Sequence, residues 1–262
     1  MALVTGASAG LGAEFARQLA AGGNDVVLVA RRRERLEALA RTLMASYEIE
    51  ALSIPVDLAQ AEAHHRVIED LAKRGWAIDI LVNNAGFTIA DSFAKAAWER
   101  QRDLIMTLVY AVCSITHAAL PHMIAQRWGR IINVASVAGF SPGVAGHTLY
   151  PAAKSFVIKF SQSLDCEVRT KGIHVTAVCP GYTLTEFHAA SGMADLVSQR
   201  PRRFGADPAA VVAEALAGNA RGRVVVVTGM RNRIRRLALK ILPESITRPM
   251  INMVAARFRR DA

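Results

Sequence analysis

Ala2-Leu3-Val4-Thr5-Gly6-Ala7-Ser8-Ala9-Gly10-Leu11-Gly12 joins an apolar run to a stretch of helical period through a turn rich in glycine. The first four residues suit a short strand, and the apolar spacing from about Leu11 to Ala21 suits a helix. Val26-Val27-Leu28-Val29-Ala30 follows as a second strand. The same alternation continues along the chain. Leu36, Leu39, Leu43 and Met44 form a helical stripe, Ala51 to Ile54 a strand, Val67, Ile68 and Leu71 another helix, and Ile78 to Val82 a fourth strand. Further strands are expected at Arg130 to Ala135, Ile173 to Val178 and Val224 to Val227. Helices are expected at about Ala94 to Ala119, Tyr150 to Arg169 and Pro208 to Ala217, the last with Asp207 as N-cap and Pro208 as its first residue. Strands this uniformly apolar are covered on both faces. The expected class is α/β, a single doubly wound parallel sheet of about seven strands with helices on both faces, which binds ligands at the carboxyl ends of its strands.

Several polar signals fall at those ends. In the first turn Gly6, Gly10 and Gly12 leave room for backbone amides and a helix N-terminus to approach a pyrophosphate, with Ser8 and Leu11 in the same loop. That is the Rossmann-like arrangement, although three residues rather than one separate the first two glycines. After the second strand, where an acidic residue would meet the ribose hydroxyls of NAD, stand Arg31, Arg32 and Arg33. Guanidinium forks pair well with phosphate oxygens, so NADP(H) is the expected cofactor, the alternative being a solvated arginine run. Asp57 and Leu58 end the third strand and Asn83-Asn84-Ala85-Gly86 the fourth, where caps and turns are also common. Ser136 ends the fifth strand, and Tyr150 and Lys154, four apart, share one face of the helix that follows. A phenol is a poor acid or base partner at neutral pH unless a neighbouring ammonium favours its ionised form.

With Cys179-Pro180-Gly181-Tyr182-Thr183-Leu184-Thr185 after the sixth strand, these motifs stand in an order and at distances that resemble the short-chain dehydrogenases/reductases over about residues 2 to 230. The resemblance implies catalysis by Ser136, Tyr150 and Lys154. It implies a cofactor held by Gly6, Ser8, Gly10, Leu11, Gly12, Arg31, Arg32, Asp57, Leu58, Asn83, Ala85, Gly86, Tyr150, Lys154, Pro180, Gly181, Thr183 and Thr185. The implied reaction is hydride transfer between NADP(H) and a ketone or secondary alcohol on an apolar or acyl-chain substrate. The implied assembly is a homodimer or homotetramer, made through the helices bearing Leu104 to Ala119 and Tyr150 to Arg169. Two departures stand out. Where many members carry an asparagine, about thirteen residues before Leu120-Pro121, this chain has Thr107 and Leu108. That leaves open an NADP(H)-binding sensor or scaffold with weak or no catalysis. Ser136 and Tyr150 are fourteen positions apart, one more than expected, which a longer loop from Phe140 to Thr148 would absorb.

Among 262 residues 52% are hydrophobic and 21% charged, which excludes a disordered or low-complexity chain and suits a large buried core. Cys113, Cys166 and Cys179 lack metal-ligand spacing, so no metal site is expected and a reducing cytoplasm is. No secretory leader is recognised after Met1, and the longest run without charge or turn signal, Leu104 to Thr116, is short for a membrane span. No linker divides the chain. Residues 1–230 read as one dinucleotide-binding catalytic domain and 231–262 as its basic helical extension. Residues 219–262 hold eleven Lys or Arg against Glu244 and Asp261, which is +9 of the total +10. Ile234, Leu237, Ala238, Ile241 and Leu242, then Met250, Met253, Val254 and Phe258, recur at helical spacing among those cations. Packing on the body or on another subunit, a lid over an apolar substrate, and contact with an anionic membrane all fit such helices. Nucleic acid fits poorly, because no aromatic residues interleave with the arginines. The resemblance implies that the stretch Glu186 to Ala206, with Arg200, Arg202 and Arg203, covers the substrate.

Overall fold

The computed structural model describes residues 1–143, 145–187 and 205–256. Seven strands, β1 (Ala2–Thr5), β2 (Val26–Ala30), β3 (Ala51–Pro55), β4 (Ile80–Asn83), β5 (Gly129–Val134), β6 (Ile173–Cys179) and β7 (Val225–Val227), make one sheet in the order β3-β2-β1-β4-β5-β6-β7. Every neighbouring pair is parallel, with Val4 opposite both Leu28 and Val82. Helices α1 (Gly10–Ala21), α2 (Arg33–Ser46), α3 (Ala63–Ala72), α4 (Trp98–Ile105), α5 (Ala111–Gln126), α6 (Leu149–Val168), α7 (Pro208–Ala220), α8 (Met230–Ile241) and α9 (Glu244–Ala256) complete the described chain. This is the Rossmann-like architecture expected from the alternation of short apolar runs and helical stripes.

The strand residues explain the two covered faces. Successive side chains point to opposite sides of a pleated sheet. Val4, Leu28, Val82 and Val178 therefore join a core with Phe15 and Leu19 of α1, Leu36 and Leu43 of α2 and Val212 of α7. Leu3, Val27, Leu81 and Ile131 join the opposite core with Leu71 of α3, Ile115 and Met123 of α5 and Leu164 of α6. The order of the strands turns back between β1 and β4, so a crevice opens beyond their carboxyl ends. Asp207 caps α7 as expected, its carboxylate accepting from the Ala209 amide, with Pro208 in the first turn.

One helix differs from its expected extent. The stretch expected at Ala94 to Ala119 begins at Trp98 and continues through a single π turn (Met106–Tyr110) and past Pro121 to Gln126. Burial of Ile115, Ala119 and Met123 against the sheet carries the stripe across the proline, which costs the helix one backbone donor but not its packing. At 29 residues Trp98–Gln126 is long and apolar enough to cross a membrane, correcting the shorter estimate from uncharged runs. In the fold its buried stripe covers the sheet.

Candidate active site

The turn after β1 owes its shape to its glycines. Gly6 and Gly10 have φ of +67° and +56°, and a Cβ on Gly12 would lie 2.3 Å from the Gly6 carbonyl oxygen. Thr5 and Asn84 brace it from behind. The Thr5 hydroxyl accepts from the Asn84 and Ala85 amides at 2.9 and 3.0 Å, and the Asn84 side chain donates to the Thr5 carbonyl at 2.9 Å. The N-terminus of α1 carries no side-chain cap and no acidic residue in its first turn. Its leading amides thus open onto a cradle that fits a phosphate, as an NAD- or NADP-type cofactor requires.

The arginine cluster lies beside β2. Arg32 donates from Nε and Nη2 to the Ser8 hydroxyl at 3.1 and 2.9 Å, closing the distance between the arginine cluster and the glycine turn. Arg31 stands 3.9 Å from Asp57, whose carboxylate also accepts the Ala59 amide. Arg35 and Arg32 grip Glu186 at 2.6 and 3.2 Å, and these contacts hold its carboxyl below the usual range. A ribose phosphate would find the same two guanidinium groups.

Ser136, Tyr150 and Lys154 converge at the carboxyl end of β5. Ser136 accepts the Ala138 amide at 3.1 Å while capping a 3-10 turn (Val137–Phe140), and its side chain opposes the upward shift of the Tyr150 phenol. Tyr150 and Lys154 lie on the first turns of α6. The Lys154 ammonium donates to the Val134 carbonyl at 2.7 Å and sits 5.7 Å from the centre of the Tyr150 ring. Tyr150 as a residue keeps partial contact with solvent, but protein packed about its phenol pushes the pKa up to about 12 against the opposing pull of Ser136. Burial pushes Lys154 down to about 8. A phenol protonated at neutral pH, beside a hydroxyl whose oxygen is already engaged by an amide, can give a proton to an oxygen between them.

The remaining residues expected here divide into two groups. Gly86 faces the site, since a Cβ there would lie 3.9 Å from Lys154 Nζ, and Ala85 is held by Thr5. Pro180, Gly181, Thr183 and Thr185 form an arch whose Thr185 approaches Gly10, a Cβ on that glycine lying 3.1 Å from Thr185 Cβ. Within it the Pro180 carbonyl takes the Val137 amide, and the Thr183 hydroxyl donates to the Gly181 carbonyl. Leu58 and Leu11 turn their side chains into the core, so they can offer the groove only backbone. Asn83 likewise points inward, donating to Thr116 and to Asn133 at 3.0 and 2.8 Å in a buried network that ends on Ser161. Where the family asparagine is missing, Thr107 and Leu108 occupy the π turn, and Leu108 packs with Leu104, Ile89 and Ala153 beside Tyr150. Ile89 and Leu104 of that group, with Phe93 and Leu149 and the polar Asp91, Gln101 and Thr148, line a narrow cleft at Tyr150. A larger surface cleft, between His64, His65, Tyr110, Cys113 and His117, shares no residue with it.

Glu186 and Phe187 lie at the start of the stretch expected to cover the substrate but were not singled out, and Phe187 stands 6.0 Å from the Tyr150 ring, next to the carboxylate that Arg32 and Arg35 hold. Thr5, Asn84 and Arg35 were also missed. The stretch from Glu186 to Ala206 expected to cover the substrate falls mostly outside the described residues, including Arg200, Arg202 and Arg203.

Comparison with known proteins bears on this geometry. The family model described as short chain dehydrogenase matches residues 1–195. The 3-oxoacyl-acyl-carrier-protein reductase FabG of Aquifex aeolicus (strain VF5) is 34% identical over 192 residues, covering 72% of this chain and 76% of that protein. A short-chain dehydrogenase from Sphingobium yanoikuyae, solved in complex with NADPH, is 33% identical with a TM-score of 0.82 and covers 91% of each chain. A short chain dehydrogenase/reductase from Burkholderia phymatum, solved in complex with NAD, shares the fold at 22% identity and a TM-score of 0.79, covering 92% of this chain and 94% of that one.

Proposed function

We propose, from the premise that this chain belongs to the short-chain dehydrogenase family, that it interconverts a ketone and a secondary alcohol on an apolar or acyl-chain substrate with NADP(H). The observation that carries this reading is the meeting of Ser136, Tyr150 and Lys154 beside an uncapped, glycine-rich phosphate cradle. The reduced nicotinamide, when bound, supplies hydride to the carbonyl carbon. Ser136 orients the carbonyl oxygen, and Tyr150 gives that oxygen its proton. Lys154 places positive charge next to the phenolate that results, which favours the transfer. Ile89, Leu104 and Leu149 offer an alkyl or acyl chain apolar contact in a cleft that Asp91, Gln101 and Thr148 also line.

The fold accepts either dinucleotide, so the choice rests on Arg31, Arg32, Arg35 and Ser8, with no acidic residue at the end of β2. Arg32→Asp should raise the KM for NADPH by about ten- to a hundredfold and leave the KM for NADH unchanged or lower. Initial rates with each cofactor on a panel of bulky ketones decide it. An NADH preference in the parent would overturn the cofactor reading.

The pH dependence of reduction follows from the two buried groups. Tyr150 stays protonated up to about 12, whereas Lys154 loses its charge as pH rises through about 8. The rate of ketone reduction should therefore be flat in neutral solution and fall with rising pH above that value. Profiles of kcat/KM between about pH 6 and 10 would show a descending limb of roughly tenfold per unit if one proton is lost.

The same reading takes residues 1–230 as the catalytic domain and 231–262 as its extension. It takes the protein as a cytoplasmic homodimer or homotetramer with peripheral membrane contact. Ile105, Tyr110 and Phe156, exposed on the long helices, are suited to an intersubunit contact. Free Cys113, Cys166 and Cys179 suit a reducing compartment.

A further inference from the structure

Helix α8 is amphipathic in the reverse sense to a helix packed on a core. Its polar side faces the body. Asn232 packs where a Gly181 Cβ would lie and donates to the Thr228 carbonyl at 2.8 Å, Arg233 pairs with Glu214 at 2.8 Å, and Arg236 sits 4.7 Å above the Phe140 ring. Met230, Ile234, Leu237 and Ile241, spaced by four, three and four, make one stripe and are exposed to between 57% and 70%. Leu242, Ile246, Met250 and Met253 extend it into α9, which Asn252 ties to the body through the Ala145 amide and the Gly143 carbonyl. Among the described residues, eight of the sixteen exposed large hydrophobic side chains thus fall in residues 230–253, a concentration that single scattered apolar residues do not make.

Charge selects the partner. Residues 230–253 carry Arg231, Arg233, Arg235, Arg236, Lys240 and Arg248 against Glu244 alone, a net +5. Arg235, Lys240 and Arg248 are exposed alongside the stripe. A two-fold contact between copies would set this cationic patch against itself, which like charges oppose. An anionic lipid surface answers both properties at once, with acyl chains for the stripe and phosphate headgroups for the cations.

From this inverted helix we infer that α8 and α9 dock the protein on an anionic membrane, with the Met230, Ile234, Leu237 and Ile241 stripe in the acyl boundary and Arg235, Lys240 and Arg248 among the headgroups. Docking goes beyond the oxidoreductase reading and does not depend on it. It sets that site beside the bilayer, because Asn232 touches Gly181 and Arg236 covers Phe140 of the Ser136 turn.

Flotation with vesicles of phosphatidylglycerol and phosphatidylcholine, against vesicles of phosphatidylcholine alone, reads docking without any assay of turnover. The parent should float with the anionic vesicles at least about tenfold more strongly, and less so at high salt. Ile234→Ser combined with Leu237→Ser and Ile241→Ser should lower binding by at least about tenfold with an unchanged circular dichroism spectrum. Arg235→Gln combined with Lys240→Gln and Arg248→Gln should weaken binding and flatten its salt dependence. Three results would overturn docking: no flotation of the parent, serine variants that bind like the parent, or serine variants that alter only the oligomeric state in sedimentation. The last would assign the stripe to a second copy of the chain.

Discussion

Tyr150→Phe is expected to lower NADPH-dependent ketone reduction by about a hundred- to ten-thousandfold, the range that one positioned proton donor contributes. The phenyl ring keeps the place of the tyrosine ring beside Leu104, Leu108 and Ala153, so packing is preserved. What disappears is the hydroxyl that meets Ser136. Ser136 is a poor substitute, because an alkyl hydroxyl is a far weaker acid than a phenol. The phosphate cradle is untouched, so NADPH affinity should stay within about twofold, and the loss should appear in kcat rather than in the cofactor KM. Stopped assays of the variant and parent, with NADPH fluorescence titration alongside, separate the two effects. A parent that binds NADPH yet reduces no ketone of a broad panel would favour the sensor or scaffold reading over the enzyme.

Gly12→Val is expected to weaken NADPH binding by about a hundredfold or more and to destabilise the fold by about 1 to 3 kcal/mol, as overpacking against an unyielding neighbour does. Even the first carbon of the new side chain would lie 2.3 Å from the Gly6 carbonyl oxygen and 2.5 Å from the Asn84 side-chain nitrogen. The first obstacle is backbone, and it cannot rotate away. Relief requires α1 to move off β1, which opens the cradle and pulls Asn84 from the Thr5 carbonyl. Gly143→Ala is the matching control, because nothing lies within 4 Å of the carbon it adds. Cofactor titration and thermal melts of the two variants read the difference, and a Gly12→Val protein that binds NADPH like the parent would exclude this cradle as the phosphate site.

Much of this arrangement could be read from residue spacing. The apolar runs of four to six residues between helical stripes demanded a sheet covered on both sides, and all seven strands fall within a residue or two of their expected places. Tyr150 and Lys154 share a face because helical geometry is local, and Ser136 meets them although its spacing from Tyr150 is one position longer than expected. Asn83 and Asn84 could not be told apart in the same way. One enters a buried network with Thr116 and Asn133 while its neighbour braces the glycine turn, a consequence of strand pleating at the last residue of β4.

The chain's own periodicity and turn chemistry dictate the doubly wound sheet, the glycine cradle and the pairing of phenol with ammonium, since each depends on residues close in sequence or on strands whose apolar character admits one arrangement. Contacts between distant segments were settled by folding. Glu186 reaches Arg32 across 154 positions and Arg35 across 151, and Phe187 comes to rest by Tyr150. The C-terminal stripe makes the same point, because a period of 3.6 residues reveals that a helix has an apolar side but not which way that side faces. Asn232 on Gly181 and Arg236 on Phe140 turned it outward.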